Sequence, residues 1–147
     1  MKITLLGSKP TPEICALAND LVFVPGYVAD VSTYFLSHRL FVAPLRFGAG
    51  MKGKIGQSLA YKLPVVTSVI GAEGMGLVEG KNVLIAQTKE EYVRKILTLY
   101  GDESLWNSLA TNCHQAIEQY SYNTIKKEVA VLLNNLSLDN FNSKTHD

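Results

Sequence analysis

Five short, mainly apolar runs constrain this chain more than any other feature: residues 3–6, 21–24, 40–43, 64–67 and 82–86. Each is too short to be a helix core, and longer stretches with helical spacing separate them. A strand buried on both faces reads as a continuous apolar run, and parallel neighbours need a crossover helix between them. The pattern therefore predicts an α/β fold: a Rossmann-like parallel sheet with helices on both faces. Helices are expected at 11–19, with Pro12 in the first turn, at 30–38, capped by Asp30, and at about 54–61. The last third predicts a helical carboxyl-terminal region. Thr88 caps a segment with Tyr92, Val93, Ile96, Leu97 and Tyr100 on one face, a second stripe runs from Leu105 to Tyr120, and a third holds Ile125, Val129, Leu132, Leu133 and Leu136. One domain is expected over 1–138, and residues 139–147 are expected to be a frayed polar tail.

Composition narrows the function classes. Of the 147 residues 47% are hydrophobic and 18% charged, which excludes a disordered chain. Fourteen Lys and Arg against 13 Asp and Glu leave a formal charge of +1, without the strong field of a nucleic-acid or anionic-membrane binder. Cys15 and Cys113 lie far apart and neither belongs to a CxxC pair, which argues against a disulfide framework or a zinc site and fits a cytoplasmic compartment. No apolar run approaches the roughly 18 residues that a membrane span needs. The first residues read as a strand rather than a targeting segment.

Chemistry concentrates in one loop. After the third run comes Arg46-Phe47-Gly48-Ala49-Gly50-Met51-Lys52-Gly53, leading into a helix. Ligands of open parallel sheets bind beyond the carboxyl ends of the strands. Glycines let the backbone approach a ligand, and the helix start offers unpaired N–H groups with a positive dipole end. Arg46, Lys52 and Lys54 add charge. The physical reading is a phosphate or diphosphate site, and the alternative is a strand-to-helix turn that needs glycine for shape alone.

Two familiar patterns overlap the loop without fitting it. Gly48-x-Gly50-x-x-Gly53 matches the dinucleotide fingerprint, but the next strand ends in Thr67-Ser68 where an acidic residue is needed. Gly48 to Lys54 also spells most of a P-loop, but Ile55 replaces the Ser or Thr that would hold magnesium. No nucleophile elbow is present, and His38, His114 and His146 read as ordinary histidines.

The stretch 42–60, VAPLRFGAGMKGKIGQSLA, together with Pro64-Val65-Val66-Thr67 and Gly71-Ala72-Glu73-Gly74-Met75, resembles the carboxyl-terminal, donor-binding half of retaining group 1 glycosyltransferases (family 4, GT-B fold). The resemblance covers residues 3–135 or so. It implies a nucleotide-sugar ligand: Gly26, Tyr27 and Val28 near the base, the backbone of Gly48, Ala49, Gly50, Met51 and Lys52 at the diphosphate and sugar, and Gln57 facing the ribose. Where the family has two glutamates eight positions apart, this chain has Ala49 and Gln57. An amide offers one acceptor where a carboxylate accepts from both ribose hydroxyls, so donor binding is expected to be about tenfold weaker. The resemblance also implies that the amino-terminal acceptor domain is missing, with the first strand and helix of the donor domain.

The expected function is donor binding in transfer of a hexose to a saccharide or lipid-linked acceptor, with no cofactor and no metal required, and with no catalytic residue assigned. The alternative is a non-catalytic binding or assembly module. An uncovered apolar patch is expected around Phe47, Met51 and Met75, and with it a partner chain that supplies the missing domain or a homo-oligomer. If Gly50 had ordinary dihedrals, valine there would leave folding nearly intact.

Overall fold

The computed structural model describes residues 1–142, with side chains through Asn135. The described residues divide into two compact units, the first of residues 1–37 and the second beginning at His38.

In the first unit, β1 (Ile3–Leu6) pairs in parallel with β2 (Val22–Gly26) through the crossover helix α1 (Pro12–Cys15). Thr11 caps α1, its hydroxyl accepting from the Ile14 N–H. The helix is shorter than the expected 11–19 because Asn19 competes for the chain: its side-chain oxygen accepts from the Leu21 and Val22 N–H groups and turns the backbone into β2. The helix α2 (Ser32–Ser37) follows. Asp30 holds its start, accepting from the Ser32 N–H at 2.8 Å and the Ser32 hydroxyl at 2.7 Å. Those two bonds, the backbone one first, keep the Asp30 carboxyl below the usual range.

The second unit is built on a three-stranded parallel sheet in the order β3 (Phe41–Ala43), β4 (Val65–Thr67), β5 (Leu84–Ile85). The central strand is fully buried, and its neighbouring residues Val65 and Val66 belong to different core clusters, as the alternation of a strand requires. Val65 packs with Ile55 and Leu59 of α3 (Gly53–Ala60) and with Cys113 and Ala116 of α6 (Glu103–Ile117). Val66 packs with Leu99 of α5 (Lys89–Gly101) and with Leu109 in the middle of α6. Helices thus cover both faces.

Thr88 caps α5 as expected, and Glu91 returns a bond to the Gln87 N–H at 2.7 Å. The sequence pattern assigns no element to α4 (Val69–Ala72), a single turn capped by Ser68. A 3-10 turn (Glu118–Tyr120) joins α6 to α7 (Tyr122–Asn142). The helix α7 runs through the first four residues of the run expected to be a frayed tail, and residues 143–147 lie outside the described residues. Its apolar stripe is exposed at Ile125, Val129, Leu132 and Leu133, and the side chain of Leu136 lies outside the described residues. No helix among the described residues is long and apolar enough to cross a membrane.

Candidate functional site

The glycine-rich loop leaves the carboxyl end of β3, and the end of β4 fixes where it starts. The buried Thr67 hydroxyl donates to the Ala43 carbonyl at 2.8 Å, and the Ser68 hydroxyl donates to the Leu45 carbonyl at 2.6 Å. The Leu45 N–H turns back to the Ala43 carbonyl at 2.9 Å. Beyond this anchor, Arg46, Phe47, Gly48, Ala49, Gly50 and Met51 are all exposed. Gly50 sits at φ +67°, in the left-handed region that favours glycine, with nothing within 4 Å of where a Cβ would stand. The condition of ordinary dihedrals, on which a mild effect of valine depended, is therefore not met: the loop needs glycine here for backbone shape, and leaves open space beside it.

The loop delivers the chain into α3 at an unprotected end. Lys52 is the N-cap, and no side chain caps the helix. The Gly53, Lys54 and Ile55 N–H groups belong to the first turn, where an α-helix has no internal acceptors. Lys54 is exposed, and Lys52 is half-buried with its ammonium donating to the Glu73 carbonyl at 3.1 Å. Gln57 lies one turn in, half-buried beside the fully buried Ser58. Ser58 ties α3 to the segment that follows it by donating to the Leu63 carbonyl at 2.9 Å. Ile55 and Leu59 seat the helix in the core, while its start carries two lysines and N–H groups with no acceptor inside the helix. Such an end is chemically fitted to bind an oxyanion.

The structure brings Arg46, Gly48, Ala49, Gly50, Met51, Lys52, Lys54 and Gln57 together on one loop and one helix of the second unit. Gly26, Tyr27 and Val28 belong to the first unit, at and just beyond the carboxyl end of β2. Gly26 turns at φ +75°, and Tyr27 is 75% exposed. The expected patch loses a member. Phe47 and Met51 are exposed, but Met75 is fully buried against Ile55, Leu59 and Cys113, where it fills the space that α3 leaves at Gly56. Sequence reasoning saw Thr67 and Ser68 only as a missing acid. Their hydroxyls anchor the loop, and no local pattern announces that. His114 is a surface residue 3.6 Å from Glu118. Among the described residues no group of three or more His, Cys, Asp or Glu could hold a metal. A separate open groove runs along α5 at Lys89, Val93, Arg94 and Leu97.

Residues 1–102 match the family model described as "Glycosyl transferases group 1". The chain belongs to this family. Its fold is that of a GT-B glycosyltransferase domain, as the solved structures it is similar to show. The C-terminal domain of the group 1 glycosyl transferase LpcC from Francisella tularensis aligns with a TM-score of 0.63 at 17% identity, over 71% of this chain and 56% of that one. TarM aligns with a TM-score of 0.72 at 20% identity, over 88% of this chain and 28% of that one. HepE from Anabaena, solved in complex with UDP, aligns with a TM-score of 0.71 at 21% identity, over 91% of this chain and 41% of that one. This group 1 domain thus spans about half or less of the chains it resembles. No curated protein matches it.

Proposed function

We propose that this domain binds a nucleotide-sugar for a retaining glycosyltransferase that moves a hexose to a saccharide or lipid-linked acceptor. The observation that carries the reading is the uncapped start of α3, fed by an exposed glycine loop and flanked by Lys52 and Lys54. The first-turn N–H groups and the two ammonium groups would bind the diphosphate. They would also stabilise the charge that grows on it as the sugar leaves, without a metal. Gln57 would accept from a ribose hydroxyl; the role near the base that the resemblance implies for Gly26, Tyr27 and Val28 concerns the first unit and is a separate expectation. That HepE was solved with UDP and also with UDP-glucose supports this choice of ligand.

One domain cannot enclose donor and acceptor or exclude water, so transfer would need an acceptor domain, on this polypeptide or a partner. The two free thiols, Cys15 and Cys113, fit a cytoplasmic setting. A second reading, a non-catalytic assembly module, draws support from the exposed apolar stripe on α7. Calorimetric titration with a panel of nucleoside diphosphates separates the two. The donor reading expects one nucleotide to bind at micromolar to low millimolar concentration, and no sugar transfer by the domain alone. The absence of binding by every member would refute it.

A further inference from the structure

Behind the glycine loop, three successive backbone carbonyls each accept a side-chain donor from another part of the second unit. The Glu73 carbonyl accepts from the Lys52 ammonium at 3.1 Å, the Gly74 carbonyl from the Tyr120 hydroxyl at 2.8 Å, and the Met75 carbonyl from the Gln119 amide at 3.4 Å. Gln119 divides its amide between Met75 and the Ala116 carbonyl, also at 3.4 Å, so the Tyr120 bond is the well-formed one of its pair. Tyr120 lies 46 residues from Gly74 and ends the 3-10 turn after α6.

These bonds matter because of the segment they hold. Gly74 and Gly76 both turn at positive φ, +71° and +64°, in a stretch with no regular hydrogen-bond ladder of its own. The buried Met75 side chain fastens one side of it to the core, beside Ala116. The backbone carbonyls still need donors to fix their direction, and Tyr120 supplies the nearest. The Glu73 and Gly74 peptides meet at the Gly74 Cα; glycine leaves that joint free to turn, so the Tyr120 bond on one side of it holds the φ of +71° at which the Glu73 carbonyl faces Lys52. The Glu73 carbonyl in turn sets where the Lys52 ammonium rests. A carbonyl carries no formal charge, so the ammonium is placed without being neutralised, and its full charge stays available to an anion at the start of α3.

We propose that Tyr120 is a positioning residue for the anion site: its hydroxyl fixes the backbone of residues 73–76, and through the Glu73 carbonyl it holds Lys52 at the start of α3. The inference rests on the diphosphate reading of that site.

The test compares UDP binding by the wild type, Tyr120→Phe, Lys52→Met and the double variant, alongside amide hydrogen exchange of residues 73–76. Phe keeps the ring and removes only the bond. Tyr120→Phe should weaken UDP binding about three- to tenfold, the equivalent of one lost hydrogen bond, and should speed exchange in 73–76. In the Lys52→Met background the same change should cost less than twofold, because the group it positions is gone. A merely structural role would weaken binding by the same factor in both backgrounds, and that result overturns the proposal, as does unaltered UDP binding by Tyr120→Phe. If the wild type binds no UDP or other nucleoside diphosphate, the donor reading fails. The clamp is then judged by exchange alone, and unchanged exchange in Tyr120→Phe overturns it.

Discussion

Gly71→Ala should damage the domain far more than its size suggests. Gly71 lies in α4, and a Cβ there would stand 2.0 Å from the Thr67 hydroxyl oxygen and 3.2 Å from Ile55 Cδ1. No real atoms approach so closely, so Thr67 must rotate away. Its hydroxyl then gives up the Ala43 carbonyl, a buried bond at the point where the glycine loop begins. Leaving a buried acceptor unpaired costs about 1–3 kcal/mol, and overpacking adds about 1–3 kcal/mol. The better helix propensity of alanine returns about 1 kcal/mol. The net loss is about 1–5 kcal/mol, a large share of the roughly 5–15 kcal/mol that holds a domain of this kind together. Urea denaturation of the wild type, Gly71→Ala, Thr67→Ala and the double variant measures it. With the hydroxyl already removed, Gly71→Ala should cost under about 1 kcal/mol, so the two changes should be strongly non-additive. A single-variant loss below about 1 kcal/mol, or simple additivity, would refute the steric account.

Other expectations concern the site and the thiols. Gln57→Glu should tighten nucleoside diphosphate binding by up to about tenfold in calorimetry, because a carboxylate accepts from both ribose hydroxyls; weaker binding would place Gln57 away from the ribose. Gly50→Val should abolish that binding and also lower stability by about 1–3 kcal/mol, since a β-branched residue is strained at φ +67°; an unaltered denaturation midpoint would contradict the loop conformation. Burial pushes the Cys113 thiol up to about 11, while Cys15 is exposed. At neutral pH a disulfide reagent should therefore titrate one thiol in the folded protein and two after unfolding, and the Cys113 reaction should accelerate only as the pH approaches that value.

Much of the fold was legible because local chemistry agreed with tertiary packing. The run at 64–67 is apolar on both faces because β4 is covered on both, and Thr88 marks the start of α5 by a hydroxyl just ahead of an apolar stripe. The failures share a cause. The sequence Val69-Ile70-Gly71-Ala72 is too short to show a period, and only the long-range seat of Gly71 against Thr67 and Ile55 gives α4 its place. Asn19 shortened α1 through a side-chain competition that composition does not reveal. At the site, glycine spacing and the lysines were readable, since they act through the local backbone. The anchoring by Thr67, Ser68 and Tyr120 was not, because each bond joins residues 23 to 46 positions apart. The stripe on α7 shows the complementary limit: periodicity identifies an apolar face without saying what covers it.

The central claim is that the uncapped start of α3 and the loop before it receive a diphosphate. Backbone amide chemical shifts of the domain during a UDP titration test it residue by residue. The account predicts saturable shifts concentrated at Gly48, Gly50 and Lys52–Ile55, with the Lys52→Met and Gly50→Val variants losing them. Saturable shifts confined to the α5 groove around Val93 and Leu97, or no saturable shift in the loop at millimolar UDP, would contradict it.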